Sequence, residues 1–389
     1  MIDVSGLYVS PGFIDSHLHI EGLHLLPAVY SQAFLSHGTT TIITDLHEIA
    51  NAGGLAGLKW YMRLLEATPL DVHVMAPSCV PSCRFEKGFG ELGLKELARL
   101  RNHKRVIGLG EMMDIAGVLD RRRSVKRKIE LFAGMPVDGH APTLSGEALR
   151  SYVAAGIHSD HEATTREEAT EKLALGMHLF VRQGSVSKDL DALLPLIKER
   201  WLSKLSLCTD DLSARDLFQY GHLDLFLRRL VQSGLPLPRA LRLATISPAH
   251  YFNLSDRKGL GLGNKADLVV FEDPKDIRVR MTIKDGRVVY RDGKRLRQEH
   301  ALTTSSPSRM KVARFSPADL RQEAKGRKIR VIGVREGALL AQRLDLGIVD
   351  PAEAIVAGNV VHDSEEPGKA VDQCAVEVED GESVVHQIS

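Results

Sequence analysis

Six residues scattered along the chain have the side chains of a metal centre: His17, His19, Glu111, His140, His161 and Asp210. Neutral imidazole and ionised carboxylate both offer lone pairs to a divalent cation, so four of one with two of the other suit one or two ions. A bound cation lowers the pKa of its water from about 16 towards about 7 and so makes hydroxide available at neutral pH. Glu111, acceptor-only when ionised, can put one oxygen on each of two cations. Asp210 can bind one of them and also take the proton of an attacking hydroxide, passing it to a leaving group. The reaction class that follows is hydrolysis at an electrophilic carbon. Taken singly, each histidine reads as a hydrogen-bonded structural residue. The set gains its meaning from where its members stand.

Those positions are strand ends. Short apolar runs occur at Phe13–Ile20, Thr39–Leu46, Asp71–Ser78, Val106–Met113, Met135–Ala141, Gly156–Glu162, His178–Ser185 and Leu205–Asp211. Their separation of roughly 20–35 residues is the period of repeated βα units. Between them, Leu58, Tyr61, Met62 and Leu65 give helical spacing to Gly57–Ala67, and Leu94–Leu100 behaves alike. TTREEATEKL places Thr164 three residues ahead of Glu167, a capping box at the head of a helix over Thr164–Leu175. Eight such units predict a (β/α)8 TIM-like barrel, whose strands all end at one rim. His17 and His19, two apart on the first strand, face one side. The other four close the fourth, fifth, sixth and eighth runs.

After Leu254 the pattern becomes short β-branched runs broken by Gly-Asn, Asp-Pro and two Asp-Gly pairs, which are hairpin signals. The expected organisation is a remnant of a small β-domain at 1–10, the barrel at 11–255, a small and incomplete β-sandwich domain at 256–297, and a linker with a shortened C-terminal extension at 298–389. Within the last, TTSSPS reads as linker, Lys328–Val334 as a strand, and the acidic end as partly disordered.

Composition narrows the class. With 43% hydrophobic and 26% charged residues the chain can fill a sizeable core. A net charge of +1 gives no electrostatic reason to expect nucleic acid or an anionic membrane as partner. Arg121–Lys128 (RRRSVKRK) reads as a solvated helix face. Four cysteines in 389 residues make no disulfide framework, so the expected setting is a reducing cytoplasm. Cys79 and Cys83 are spaced C-x-x-x-C, which excludes the cytidine-type zinc site that pairs H-x-E with P-C-x-x-C.

The strings PGFIDSHLHIE, GTTTIITDLHEIAN, APSCVPS, GLGEMM, DGHAP, GIHSDHE, RQGS, CTDD, GHLD and ADLVV follow one another across roughly residues 1–295. In that order they resemble the prokaryotic adenine deaminases of the amidohydrolase superfamily of metal-dependent hydrolases. The resemblance implies conversion of adenine and water to hypoxanthine and ammonia, a purine-salvage reaction in which a hydroxide bridging two cations attacks C6. It implies two divalent ions, manganese first, with iron or zinc also admissible, and it leaves a homodimer open. His17, His19 and Asp210 would serve one ion and His140 and His161 the other. Glu111 would bridge them, in place of the modified lysine of many relatives. His47 and Glu48 match the family's HE pair and would contact the purine or move protons. Glu21 and Glu162 read equally as proton carriers or as supports that orient imidazoles. Ser78 and Arg182 would line the pocket, whereas Cys79 reads as a small buried thiol. The chain departs from the family pattern with HIEG for HIES, DLHE for DPHE, a start close to the barrel, and fading resemblance beyond about Leu346. Alternatives are an amidohydrolase for another aminopurine or a cyclic amide, and a truncated homologue without turnover.

Overall fold

The computed structural model describes residues 2–82, 86, 88–296 and 316, together with four strands near the C-terminus. After β1 (Tyr8–Pro11), eight parallel strands follow: β2 (Phe13–Leu18), β3 (Thr39–Asp45), β4 (Asp71–Ala76), β5 (Val106–Met112), β6 (Val137–Gly139), β7 (Ser159–Asp160), β8 (His178–Arg182) and β9 (Leu205–Cys208). Strands β2 to β6 pair in sequence order, and so do β7 to β9. One seam between the two sets is joined by the His158 N–H donating to Val137 O (2.9 Å). At the other, the Asp210 N–H donates to His17 O (2.9 Å) and the His19 N–H to Asp210 O (3.2 Å). All eight runs read from the sequence are strands of this TIM-like barrel.

Inside its lower half, Ile14, Ile43, Met75, Phe180 and Cys208 meet Ala249, Phe252 and Leu254 and fill the interior with apolar groups. The outward faces, among them Phe13, Leu18, Ile42, Val74, Leu109, Leu179 and Leu207, are covered by the apolar sides of the helices. A long continuous cluster of this kind is what the alternation of strand and amphipathic helix predicts.

Helix boundaries depart from the sequence reading in instructive ways. The helix expected from Gly57 begins ten residues earlier, at His47, and runs to Leu64, with Gly54 at φ 55° breaking its regularity. The segment Leu65–Ala67 tightens into a 3-10 turn. The helix expected from Thr164 is Arg166–Ala174, and its cap is Thr165, whose side chain accepts the Glu168 N–H. Glu168 rather than Glu167 reaches back, its carboxylate accepting the Thr164 N–H (3.4 Å). In the basic run, the helix Arg123–Leu131 turns Lys128 inward, and its Nζ donates to Ser78 O (2.6 Å).

Strands β10 (Leu268–Phe271), β11 (Val279–Lys284), β12 (Arg287–Arg291) and β13 (Lys294–Arg295) form an antiparallel sheet in the order β1-β10-β11-β12-β13. Both Asp-Gly pairs turn the chain with positive φ at Asp285, Gly286, Asp292 and Gly293, as two-residue hairpin turns require. Tyr8–Pro11 pairs with β10 and shields that edge. At the foot of β4, Asp71 receives Arg257 (2.9 Å), Lys265 (2.8 Å) and Lys284 (3.2 Å), and these cations tie the sheet's strands and turns to the barrel's N-terminal end.

Residues Lys311–Ser389 form a second compact unit. Its described strands β14 (Lys328–Gly333), β15 (Gln342–Gly347), β16 (Val376–Val378) and β17 (Val384–Val385) pair antiparallel in the order β15-β14-β16-β17. The TTSSPS linker, most of the acidic end, Cys83 and Cys374 lie outside the described residues. Among the described residues no helix is long and apolar enough to cross a membrane.

Candidate metal centre

The six candidate ligands meet at the C-terminal rim. His17 lies in β2 and His19 just past it, Glu111 near the end of β5, His140 one residue after β6, and His161 one after β7. Asp210 follows β9 in a left-handed conformation, φ 57°, which costs a non-glycine residue energy and is retained at sites that require it. Backbone bonds to His17 and His19 on either side hold it there.

Glu111 is the hub. Its Oε1 lies 3.3 Å from His19 Nε2 and 3.3 Å from His47 Nδ1. Its Oε2 lies 2.7 Å from His140 Nδ1 and 3.3 Å from His161 Nε2. Asp210 Oδ1 is 3.2 Å from His19 Nε2 and 3.7 Å from His17 Nε2. The His17 and His161 rings stack with centroids 4.2 Å apart, and His17 also lies over Phe180 on the apolar floor. Ligand atoms fall into groups packed within 4.8 Å: His17, His19 and Glu111; His17, His161 and Asp210; Glu111, His140 and His161. Each carboxylate oxygen of Glu111 therefore faces a different set of imidazoles.

The electrostatics follow from burying so many acids and bases together. Burial works against ionising Glu111 and Asp210, yet the surrounding imidazoles hold both carboxyls below their usual range. Burial would likewise lower His19 and His161, but Asp210 and Glu111 raise the first and Glu111 and Glu162 raise the second. His17 is lowered, by burial and by its neighbours His161 and His19. His17 Nε2 and His161 Nδ1 are buried without a hydrogen-bond partner. An unpartnered buried nitrogen beside a carboxylate, as His17 Nε2 is beside Asp210, in a donor set of four His, one Glu and one Asp, fits divalent cations.

Around this core stand the remaining predicted residues. His47 and Glu48 open the helix after β3, with His47 Nε2 on Glu48 Oε1 (2.8 Å). Glu48 is half exposed at the mouth, and its carboxyl is drawn down to about 2: burial opposes ionisation, but the His47 contact outweighs it. Glu21 Oε1 accepts the Glu48 N–H (3.3 Å), and burial together with the Glu48 charge pushes its own carboxyl up. Glu162 Oε1 lies 3.3 Å from His161 Nε2 and 3.6 Å from His140 Nδ1.

The two residues expected to line the pocket are both buried beside candidate ligands. Arg182 is 1% exposed, with Nη1 on Glu162 and on Asp210 Oδ2 (3.2 Å) and Nε on Asp189 (2.8 Å). A guanidinium among three carboxylates keeps its charge only by such pairing, so its donors face the acids. Ser78 is buried, and its hydroxyl donates to Glu111 O (2.5 Å). Cys79 is a buried free thiol, as read from the sequence.

Sequence reasoning missed four buried aspartates. Asp45 accepts the Glu111 N–H at Oδ2 (3.1 Å), and its carbonyl oxygen lies 3.0 Å from His19 Nδ1. Burial pushes its carboxyl up to about 7. Asp15, Asp138 and Asp160 are fully buried on β2, β6 and β7. Three of the four stand two residues before a histidine, as Asp15 before His17, Asp45 before His47 and Asp138 before His140. That recurring spacing, an acid two residues before a histidine, was the available signal.

The model of the amidohydrolase family matches residues 8–289. Adenine deaminase 2 of Carboxydothermus hydrogenoformans is 38% identical over 347 residues, covering 89% of this chain and 61% of that protein. Adenine deaminase 1 of Agrobacterium fabrum is 44% identical over 288 residues, covering 74% and 50%. The chain thus spans about half to three-fifths of the length of these relatives. Among solved structures, the beta-aspartyl dipeptidase of Fervidobacterium islandicum AW-1 superposes with TM-score 0.57 at 18% identity, covering 76% of this chain and 86% of that one. A crystal structure of an adenine deaminase gives TM-score 0.51 at 17% identity, covering 73% and 87%. At such identities the superpositions speak for the shared fold. The chain belongs to the amidohydrolase family.

Proposed function

We propose that the chain is a metal-dependent aminohydrolase that converts adenine and water to hypoxanthine and ammonia, a purine-salvage reaction. The observation that carries this reading is the position of Glu111, each of whose oxygens faces different imidazoles, at the rim of an amidohydrolase barrel. The relatives named adenine deaminase support the substrate, at 38% and 44% identity. His17, His19 and Asp210 would hold one divalent ion and His140 and His161 the other, with Glu111 between them. Manganese is the ion we favour. When bound, the ions supply a water acidic enough to ionise at neutral pH and positive charge opposite the developing negative charge.

The chain's own residues do the rest. Asp210 Oδ1, beside His17 and His19, accepts the proton released on attack and hands it to the departing amine. The His47–Glu48 pair stands at the mouth, where His47 is within reach of Glu111 and Glu48 is open to an arriving ring. It donates to or accepts from the purine nitrogens. Glu21 acts on the ring only through Glu48, and Glu162 and Arg182 hold Asp210 and the imidazoles in place. The enzyme works in the cytoplasm, on a small molecule and without nucleic acid or membrane.

The test is ammonia release from adenine by manganese-loaded and chelator-stripped protein, with other aminopurines and dihydropyrimidines alongside. Turnover of adenine that disappears with the metal is expected. Turnover of another compound with none of adenine would move the substrate, and a fully metallated protein inactive on all of them would overturn the enzymatic reading.

A further inference from the structure

The ladder bonds of β2, β5, β6, β7 and β9 run out where the candidate ligands begin, and the backbone N–H groups there need other acceptors. Three buried aspartates supply them. Asp15 Oδ1 accepts the His17 N–H (3.3 Å) and the Thr209 N–H (3.2 Å), so one oxygen joins the end of β2 to the residue before Asp210. Its Oδ2 takes the Thr209 hydroxyl (2.6 Å) and faces His222 Nε2 (2.9 Å). Asp160 Oδ1 accepts the Ala141 N–H (2.8 Å), beside His140, and its Oδ2 accepts the Glu162 N–H (2.9 Å), beside His161. The buried Lys172 ammonium fixes that carboxylate (2.7 Å) and also donates to Ala141 O (2.7 Å). Asp45 Oδ2 accepts the Glu111 N–H (3.1 Å). Gly110 makes this approach possible, because a Cβ there would overlap Asp45 Oδ2.

We propose that Asp15, Asp45 and Asp160 are positioning residues that set the ligand spacing before any cation arrives: Asp15 for the His17–Asp210 side, Asp160 for the His140–His161 side, and Asp45 for the bridging Glu111. The proposal rests on the two-ion reading above. Hydrogen bonds from backbone N–H to an ionised carboxylate, as Asp160 is beside Lys172, are roughly twice as strong as neutral ones. A site whose ligands are already placed loses less freedom when it binds. Each aspartate serves a different part of the centre, so each should fail differently.

The experiment titrates metal-stripped protein with manganese and counts tight equivalents, with circular dichroism reporting the fold. Wild type should bind two. Asp15→Ala and Asp160→Ala should each keep one, the other weakened about 10- to 100-fold, and the double variant should keep neither. Asp15→Asn retains an oxygen for both backbone N–H groups and should restore two equivalents. Gly110→Ala, which leaves every buried charge in place, should weaken both ions and carries the test if the alanine variants do not fold. Folded alanine variants that bind two ions as tightly as wild type would overturn the proposal, as would Asp15→Asn behaving like Asp15→Ala, or Gly110→Ala binding like wild type. Wild type binding two ions without releasing ammonia from adenine would instead defeat the substrate reading and leave this one standing.

Discussion

The two ends of the barrel bury their interiors by opposite means. At the floor, Ile14, Ile43, Met75, Phe180 and Phe252 exclude water with apolar groups that need nothing further. At the rim, His17, His19, Glu111, His161 and Asp210 are equally buried but charged or polar, and His17 Nε2 and His161 Nδ1 find no partner. Burying polar groups without full pairing costs free energy that apolar packing must offset. The floor therefore gives the molecule its stability, and the rim uses some of it to keep a donor set ready.

The widest separation between the ends should come from Glu111→Gln. The amide keeps the shape but removes the charge between the imidazoles. We expect ammonia release to fall about a thousandfold, roughly 4 kcal/mol, and at least one equivalent of metal to be lost, while the chelator-stripped protein melts close to wild type. Phe180→Ala should do the reverse. Emptying the floor should cost about 3 kcal/mol in denaturant unfolding, yet the folded fraction should still bind two ions.

A subtler contrast lies in pH. His178, at the start of β8 and on the floor side, is pushed down to about 3 by burial, helped by the Lys204 charge. Its folded-state pKa is depressed, so the unfolded chain takes up the proton first. The stability it allows is complete above about pH 6.5 and drains away as pH falls towards 3. Between pH 7 and pH 5 wild type should lose about 2 kcal/mol that His178→Gln does not, read from unfolding of the metal-stripped proteins. The smallest effect expected is at the helix cap, where Thr165→Ala should cost about 1 kcal/mol and leave metal binding unchanged.

Much of this was legible in the chain because both features obey simple periods. Eight apolar runs at regular separation gave the strands, and a histidine or acid at the end of most of them marked the rim. What escaped depended on contacts between distant residues. Asp15 stands two residues before His17, but nothing local says that its partners are Thr209 and His222. Arg182 read as a pocket residue because it stands at a strand end, and only the fold brings Glu162, Asp189 and Asp210 around it. The Thr165 cap was displaced by one residue because two threonines and two glutamates stand side by side, and their spacing admits either pairing.

The most direct test is diffraction from crystals of the manganese-loaded protein, recorded at the metal's absorption edge. Two anomalous peaks about 4 Å apart, one on each side of the Glu111 carboxylate, with His17, His19 and Asp210 around one and His140 and His161 around the other, are expected. A single peak, or peaks that leave Glu111 uncoordinated, would contradict the two-ion centre.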